Sequence, residues 1–138
     1  MTDGADTGGP ILVLASQSPS RAALLTGAGL AFEQAPAGVD EDAIKASLKA
    51  EGASAAHLAD TLAELKAARI SRRFPGALVL GADQVLACEG EWFDKPPDLP
   101  AARAQLLRLR DRTHQLFSAA VVLRDGERIW GRTEHATL

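Results

Sequence analysis

Aromatic side chains are scarce in this chain: its 138 residues include four Phe, two Trp and no Tyr. A stacking platform for single-stranded nucleic acid needs more rings than that. Positive charge is not in excess either. The net charge is −3, so the basic face that usually accompanies nucleic-acid binding is missing, and no nucleic-acid partner is expected. An anionic small molecule remains compatible, because a site needs only a few local cations. No apolar run approaches the roughly 18–20 residues of a membrane-spanning helix, so no membrane partner is expected. There is one cysteine, Cys88, which cannot form an internal disulfide. It has no CxxC partner and reads as a small core residue in a reduced, cytoplasmic compartment. His57, His114 and His135 lack metal-ligand spacing, so no zinc site is expected. Walker-type, GxGxxG and GxSxG loops are absent. The first ten residues, MTDGADTGGP, lack a basic region and an apolar stretch, which excludes a signal peptide. They read as a short disordered leader, 1–10.

What is present is an alternation of apolar runs and helical periods. Ile11 to Ala15 reads as a buried strand. Ser18 is a good N-cap and Pro19 suits the first helical position, predicting a helix to about Ala28 with Leu24, Leu25 and Ala28 inward. Ala31 to Ala35 reads as a second strand with Phe32 inward. Asp40 caps a helix with an acidic first turn, and Gly52 breaks it. Ser54 starts a longer helix to about Arg73, with Leu58, Leu62, Leu65 and Ile70 on its inner side. Ala77 to Leu80 is a second buried strand, with Gly81-Ala82-Asp83-Gln84 at its end. Val85 to Cys88 and Glu91 to Phe93 form a hairpin around Glu89-Gly90. Asp98 to Leu109 is a helix with Leu106 and Leu109 inward. Leu116 to Leu123 and Glu127 to Gly131 flank Asp125-Gly126, a strong hairpin signal, and residues 132–138 could extend the last strand. The fold class is therefore α/β, a mixed twisted sheet with flanking helices, in a single domain over 11–138. A terminal strand left uncovered would expose an edge, which suggests truncation or a homodimer.

Three short stretches could carry chemistry. Leu14 to Arg21 has a strand–loop–helix layout. Free backbone N–H groups and the helix dipole attract an anion there. Ser16 and Ser18 can donate to phosphate oxygens, and Arg21 can do so bidentately. The plain alternative is a capped helix with a solvated arginine. Asp83 follows a buried strand, where open α/β sheets bind ligands. Its carboxylate could hold Mg²⁺ or take a proton from water, or simply bond a turn. Glu41 could join Asp83 at one hard cation, or serve only as helix-start acid. Lys66 reads locally as a solvated helix lysine. Lys95, before two prolines, sits on a stiff loop that could aim its ammonium group.

Taken in order, these stretches resemble the Maf family. The matching segments are Leu14 to Arg21 with Leu24-Leu25, Phe32-Glu33, Val39-Asp40-Glu41, Leu62 to Ala67, Gly81 to Val85, Asp94-Lys95-Pro96, and Leu106 to His114. The resemblance implies a fold shared with inosine-triphosphate pyrophosphatases, a cleft between two lobes, and Mg²⁺-dependent hydrolysis of a nucleoside triphosphate to the monophosphate and pyrophosphate. It makes Asp83 the catalytic acid residue and Glu41 with Asp83 the metal carboxylates. It makes Ser16, Ser18, Arg21, Lys66 and Lys95 phosphate-handling positions. Many members carry two adjacent arginines after Ser-Pro; Ser20 replaces the first here. Gln84 stands where some members have Thr. A branch preferring 7-methyl-GTP shares that Gln and often lacks the first arginine, whereas the branch acting on dTTP and UTP usually keeps both features. The implied substrate is a pyrimidine or modified nucleotide, with Gln84 as a substrate-binding residue. The family's further strands and Gly-rich stretch are unmatched after Leu138, so the expectation is a domain lacking its C-terminal third, with an incomplete second lobe. The rival expectation is a nucleotide-binding regulatory module without catalysis, linked to cell-division arrest.

Overall fold

The computed structural model describes residues 11–138; the expected leader, 1–10, lies outside the described residues. In chain order the elements are β1 (Leu12–Leu14), α1 (Pro19–Gly27), β2 (Glu33–Gln34), α2 (Glu41–Ala50), α3 (Ala55–Ser71), β3 (Leu78–Cys88), β4 (Glu91–Phe93), α4 (Leu99–Leu109), β5 (Gln115–Arg124) and β6 (Glu127–Thr137). The side chains of Ser18, Asp40, Ser54 and Asp98 each cap a helix by accepting from a backbone N–H three residues on. Such bonds satisfy donors that a helix start otherwise leaves free.

The strands form one mixed sheet in the order β2–β1–β3–β5–β6. β1 runs parallel to both β2 and β3, while β5 and β6 are antiparallel neighbours. β3 is the organising strand. β5 follows one of its edges from Val79 to Ala87. Its other edge is shared: β1 pairs with Leu78 to Leu80, and β4 pairs with Leu86 to Cys88. Between them, residues 81–85 have no strand partner on that side among the described residues. Gly81-Ala82-Asp83-Gln84 is therefore not the end of a strand, as the turn-type residues suggest, but the middle of one. The long ladder to β5 carries the chain straight through them. What ends at this level is β1, whose last residue Leu14 lies opposite Leu80. Asp83 thus does lie beyond the carboxyl end of the parallel strands, on a strand that continues past them.

The core sits between the sheet and α3. Leu58, Leu62 and Ile70 of that helix are almost fully enclosed, as are Val79, Val121 and Leu123 of the sheet. Four-residue spacing from Leu58 passes through Leu62 and Lys66 to Ile70, so Lys66 occupies the inward stripe and Leu65 turns out, 39% exposed. Ala59, Ala63 and Ala67 form a second stripe with no exposed surface. These small residues allow α3 to approach β3 closely. α1 has no buried residue: Leu24 is 73% exposed, Ala28 is exposed as well, and Leu25 is half-buried. In α4, Leu109 is buried as expected but Leu106 is 68% exposed. α3 covers one face of the β3–β5–β6 sheet, and Leu24 and Leu25 of α1 border open space on the other.

β5 and β6 turn at Asp125-Gly126, both with positive φ. The turn is tied down, because Asp125 Oδ1 accepts from Gly76 N at 2.8 Å and Ser71 Oγ accepts from Gly126 N at 2.8 Å. β6 runs on to Thr137, as the alternation in residues 132–138 suggests. It is an edge strand among the described residues. Its Arg128 reaches back to Asp60 and Glu64 of α3. Gly131 leaves the room that this guanidinium occupies.

Candidate active site

The gap in the edge of β3 is where the charged residues meet. Asp83 points from β3 toward α3, where Lys66 Nζ donates to its Oδ1 at 2.8 Å. The same ammonium lies 3.5 Å from Glu41 Oε2, at the first turn of α2. One buried cation thus joins two carboxylates from separate elements. The Asp83 and Lys66 side chains are only 9% and 10% exposed, whereas that of Glu41 is 42% exposed. Burial pushes the Asp83 carboxyl above its ordinary range, opposed by the hydrogen bond and charge of Lys66 and reinforced by the negative charge of Glu41. The Arg21 guanidinium also acts on it, in the lowering direction.

Arg21 belongs to the segment that leaves β1. After Leu14 the chain turns into α1, so the helix start opens at the carboxyl end of the parallel strands. Ser16 Oγ accepts from Ser18 N at 3.0 Å and from Arg21 Nη1 at 3.4 Å. Ser18 Oγ accepts from Arg21 N at 3.3 Å. Both hydroxyl oxygens accept within the segment, and each O–H proton remains a donor for another group.

These residues border a cleft of about 900 Å³, large enough for a nucleotide-sized ligand. Ser18, Arg21, Asp83, Gln84 and Lys95 all line it. Its floor is the face of the sheet that α3 leaves bare, including Ala82, Leu86, Ser118 and Trp130. Gln84 Nε2 donates to Ser118 Oγ at 3.1 Å across the β3–β5 pair. Three of the expected site residues do not line the cleft. Ser16 is buried behind Arg21, and Glu41 and Lys66 are joined to the site through Asp83. The buried Lys66 corrects its reading as a solvated helix lysine. The stripe Leu58, Leu62, Lys66, Ile70 carried that signal.

Sequence reasoning missed Lys45 and Ser118. Lys45 stands one helical turn after Glu41, and its ammonium pairs with Asp94 beside Lys95. Burial lowers the Lys45 pKa, but Asp94, Glu41 and Asp83 together raise it above the ordinary value. The Glu41-to-Lys45 spacing, which puts both on one helical face, was the available signal. Nothing local in the sequence singles out Ser118.

The candidate donors for a hard cation at this site are two carboxylates that both also face the Lys66 ammonium. Glu41 and Asp83 offer carboxylate oxygens, and among the described residues no three His, Cys, Asp or Glu side chains converge. Mg²⁺ is commonly held in this way, by one or two carboxylates together with substrate phosphates.

Residues 11–138 match the Maf-like protein family. The chain belongs to the Maf family. It is 56% identical over 126 residues to a nucleoside triphosphate pyrophosphatase of Paramagnetospirillum magneticum, an alignment covering 91% of this chain and 65% of that protein. Against a 7-methyl-GTP pyrophosphatase of Mesorhizobium japonicum it is 53% identical over 119 residues, covering 86% of this chain and 60% of that protein. The chain thus spans less than two thirds of the length of these curated relatives. Among solved structures, a HAM1 protein from Coxiella burnetii superposes with a TM-score of 0.55 at 15% identity, covering 94% of this chain and 71% of that one. A nucleoside-triphosphatase/dITP/XTP pyrophosphatase from Mycobacterium abscessus gives 0.50 at 18% identity, covering 91% and 70%. These likenesses establish the shared fold expected from the Maf resemblance.

The Lys66–Asp83 pair sets a stability prediction. Lys66→Met leaves a buried carboxylate without its cation, and breaking such a pair costs about 3 kcal/mol. The Glu41 side of the arrangement adds little, since that carboxylate is largely solvated. A carboxyl whose folded pKa is raised contributes most to stability below its unfolded value and loses that contribution as pH rises through the folded pKa. The deficit of Lys66→Met in urea melts should therefore be large at pH 7 and shrink toward pH 4. A deficit independent of pH would contradict the ion-pair explanation.

Proposed function

We propose that this chain carries the catalytic half-site of a nucleoside triphosphate pyrophosphatase, releasing pyrophosphate and a nucleoside monophosphate. The observation that carries the reading is Asp83, paired with the buried Lys66 and joined through it to Glu41, lining one cleft with Arg21 and Lys95. Hydrolysis requires water to attack the α-phosphorus as the bond to the β-phosphate oxygen breaks. Negative charge grows on the phosphoryl oxygens, so fixed cations lower the barrier. In this reading Asp83 accepts the proton of the attacking water. Lys66 holds that carboxylate in place from behind, on the α3 side of Asp83. Arg21 and Lys95 grip the polyphosphate, the Ser18 hydroxyl with the start of α1 takes one phosphate, and Ser16 serves phosphate binding by holding the Arg21 guanidinium. Glu41 and Asp83 would hold Mg²⁺, which when bound supplies charge neutralisation at the phosphates.

Gln84, on the cleft floor, would meet the base. The names of the relatives support a modified nucleotide, since 7-methyl-GTP pyrophosphatases are among them; a pyrimidine nucleotide is the second reading. The single free and buried thiol, Cys88, suits a reducing cytoplasm. The exposed edge of β6 supports a homodimer as one way of covering it.

The test is pyrophosphate release from a panel of nucleoside triphosphates, including dTTP, UTP and 7-methyl-GTP, with Mg²⁺. Nucleotide-dependent thermal stabilisation without release would favour a binding module instead. Lys95→Ala should raise KM about tenfold or more and change kcat less, as expected for a group that grips the ground state and transition state alike. Unchanged KM and kcat would remove Lys95 from the site. The pH profile is a further check. If Asp83 acts as base, kcat/KM should rise from acid with a midpoint above the ordinary aspartate value of about 3.9, because burial raises this carboxyl. A flat acidic limb down to pH 4 would contradict that role.

A further inference from the structure

The loop that carries Lys95 is held at Asp94 from two sides. Lys45 Nζ, on α2, donates to Asp94 Oδ1 across 49 residues of sequence. Gln105 Nε2, on α4, donates to the Asp94 carbonyl oxygen at 2.8 Å. The two grips fix the residue next to Lys95, and Pro96-Pro97 stiffens the far side. The other end of the Lys45 contact matters as much. α2 has no buried residue; only Ile44 and Leu48 rest against the core. Its first turn nevertheless carries Glu41, which must stay within reach of Lys66. A helix so lightly packed takes its position partly from its ion pairs. Lys45, four residues after Glu41, faces the same side.

We propose that Lys45 is a positioning residue: its bond to Asp94 is a strut between α2 and the Lys95 loop, holding Glu41 and Lys95 at the spacing a polyphosphate requires. The inference rests on the proposed function, for it gives this spacing a substrate. Lys45 acts through its neighbours and touches no substrate in this account. An exposed ion pair adds little to global stability, and the side chains here are 28% and 70% exposed. The strut should therefore show in substrate binding and local order, not in the melting temperature.

The experiment compares Lys45→Ala, Asp94→Ala, the double alanine variant, and the reversed pair Lys45→Asp with Asp94→Lys. Each is assayed with whichever nucleoside triphosphate the native chain hydrolyses best. Each single variant should raise KM about fivefold with kcat within about twofold. The double variant should be no worse than either single one, as coupled partners require, and the reversed pair should recover most of the loss. Unchanged KM in either single variant, or additive losses in the double, would overturn the strut while leaving the pyrophosphatase reading intact. A native chain that releases no pyrophosphate from any triphosphate would defeat that reading instead. The strut is then judged by amide hydrogen exchange: Lys45→Ala should speed exchange in residues 41–50 and 93–97 but not in β5, and equal exchange rates would overturn it.

Discussion

Asp83→Asn should lower kcat at least about 100-fold, the usual loss on removing a general base, while the chain stays folded. Asparagine keeps the size of the side chain and an oxygen that can accept from Lys66. It removes the charge that would take the water's proton and face Mg²⁺. Burial already disfavours the ionised carboxyl, but the change leaves the buried Lys66 ammonium with only the half-exposed Glu41 carboxylate at 3.5 Å, so the variant should lose up to about 3 kcal/mol and is assayed well below its Tm. Single-turnover assays with excess enzyme separate the chemical step from binding. Near-normal turnover of any triphosphate by this variant, with the fold confirmed by circular dichroism, would remove Asp83 from the reaction.

The second large effect concerns a residue with no side chain. Gly81→Ala should destabilise the chain by about 3 kcal/mol or more, at the upper end of overpacking costs, and lower Tm by roughly 10 °C. A Cβ at Gly81 would fall on the carbonyl oxygen of Ala63 and within 2.9 Å of Ala67 Cβ. The carbonyl is helix backbone and cannot rotate aside, so α3 would have to lift off the sheet. That helix carries Leu58, Leu62 and Ile70 into the core and Lys66 to Asp83. Lifting it therefore loses core packing and loosens the charged cluster together, and activity should fall with stability. Gly38→Ala is the control, since nothing lies within 4 Å of a Cβ there; its effect should stay within about 0.5 kcal/mol. A Tm for Gly81→Ala within about 2 °C of the parent would mean that the helix–sheet spacing is softer than the packing indicates.

The helix starts were legible because their chemistry is local. Ser18, Asp40, Ser54 and Asp98 each cap a helix at or next to the position that composition suggests. The Asp125-Gly126 turn was equally plain. The continuity of β3 was not, because Gly81, Asp83 and Gln84 resemble a strand end when read alone. Their extended conformation is set by β5, which lies over thirty positions away and supplies the antiparallel ladder. The burial of Leu24, Leu65 and Leu106 was misjudged for a related reason. Periodicity finds an apolar face but cannot say whether another layer covers it: Leu24 borders the open cleft, Leu106 stays exposed on α4, and Leu65 turns out because Lys66 takes its place on the inward stripe of α3. Among the candidate site residues, Asp83, Arg21, Ser18, Gln84 and Lys95 were picked out by motif, and the fold gathers them around that cleft. The geometry that joins Glu41 to Asp83 through Lys66 depends on α3 crossing β3 at Gly81. No short-range pattern encodes that crossing.

Hydrolysis in ¹⁸O-labelled water tests the central claim most directly. Attack at the α-phosphorus should place one ¹⁸O in the nucleoside monophosphate and none in pyrophosphate, with both products lost in Asp83→Asn. Label in pyrophosphate or in released orthophosphate would contradict the proposed chemistry.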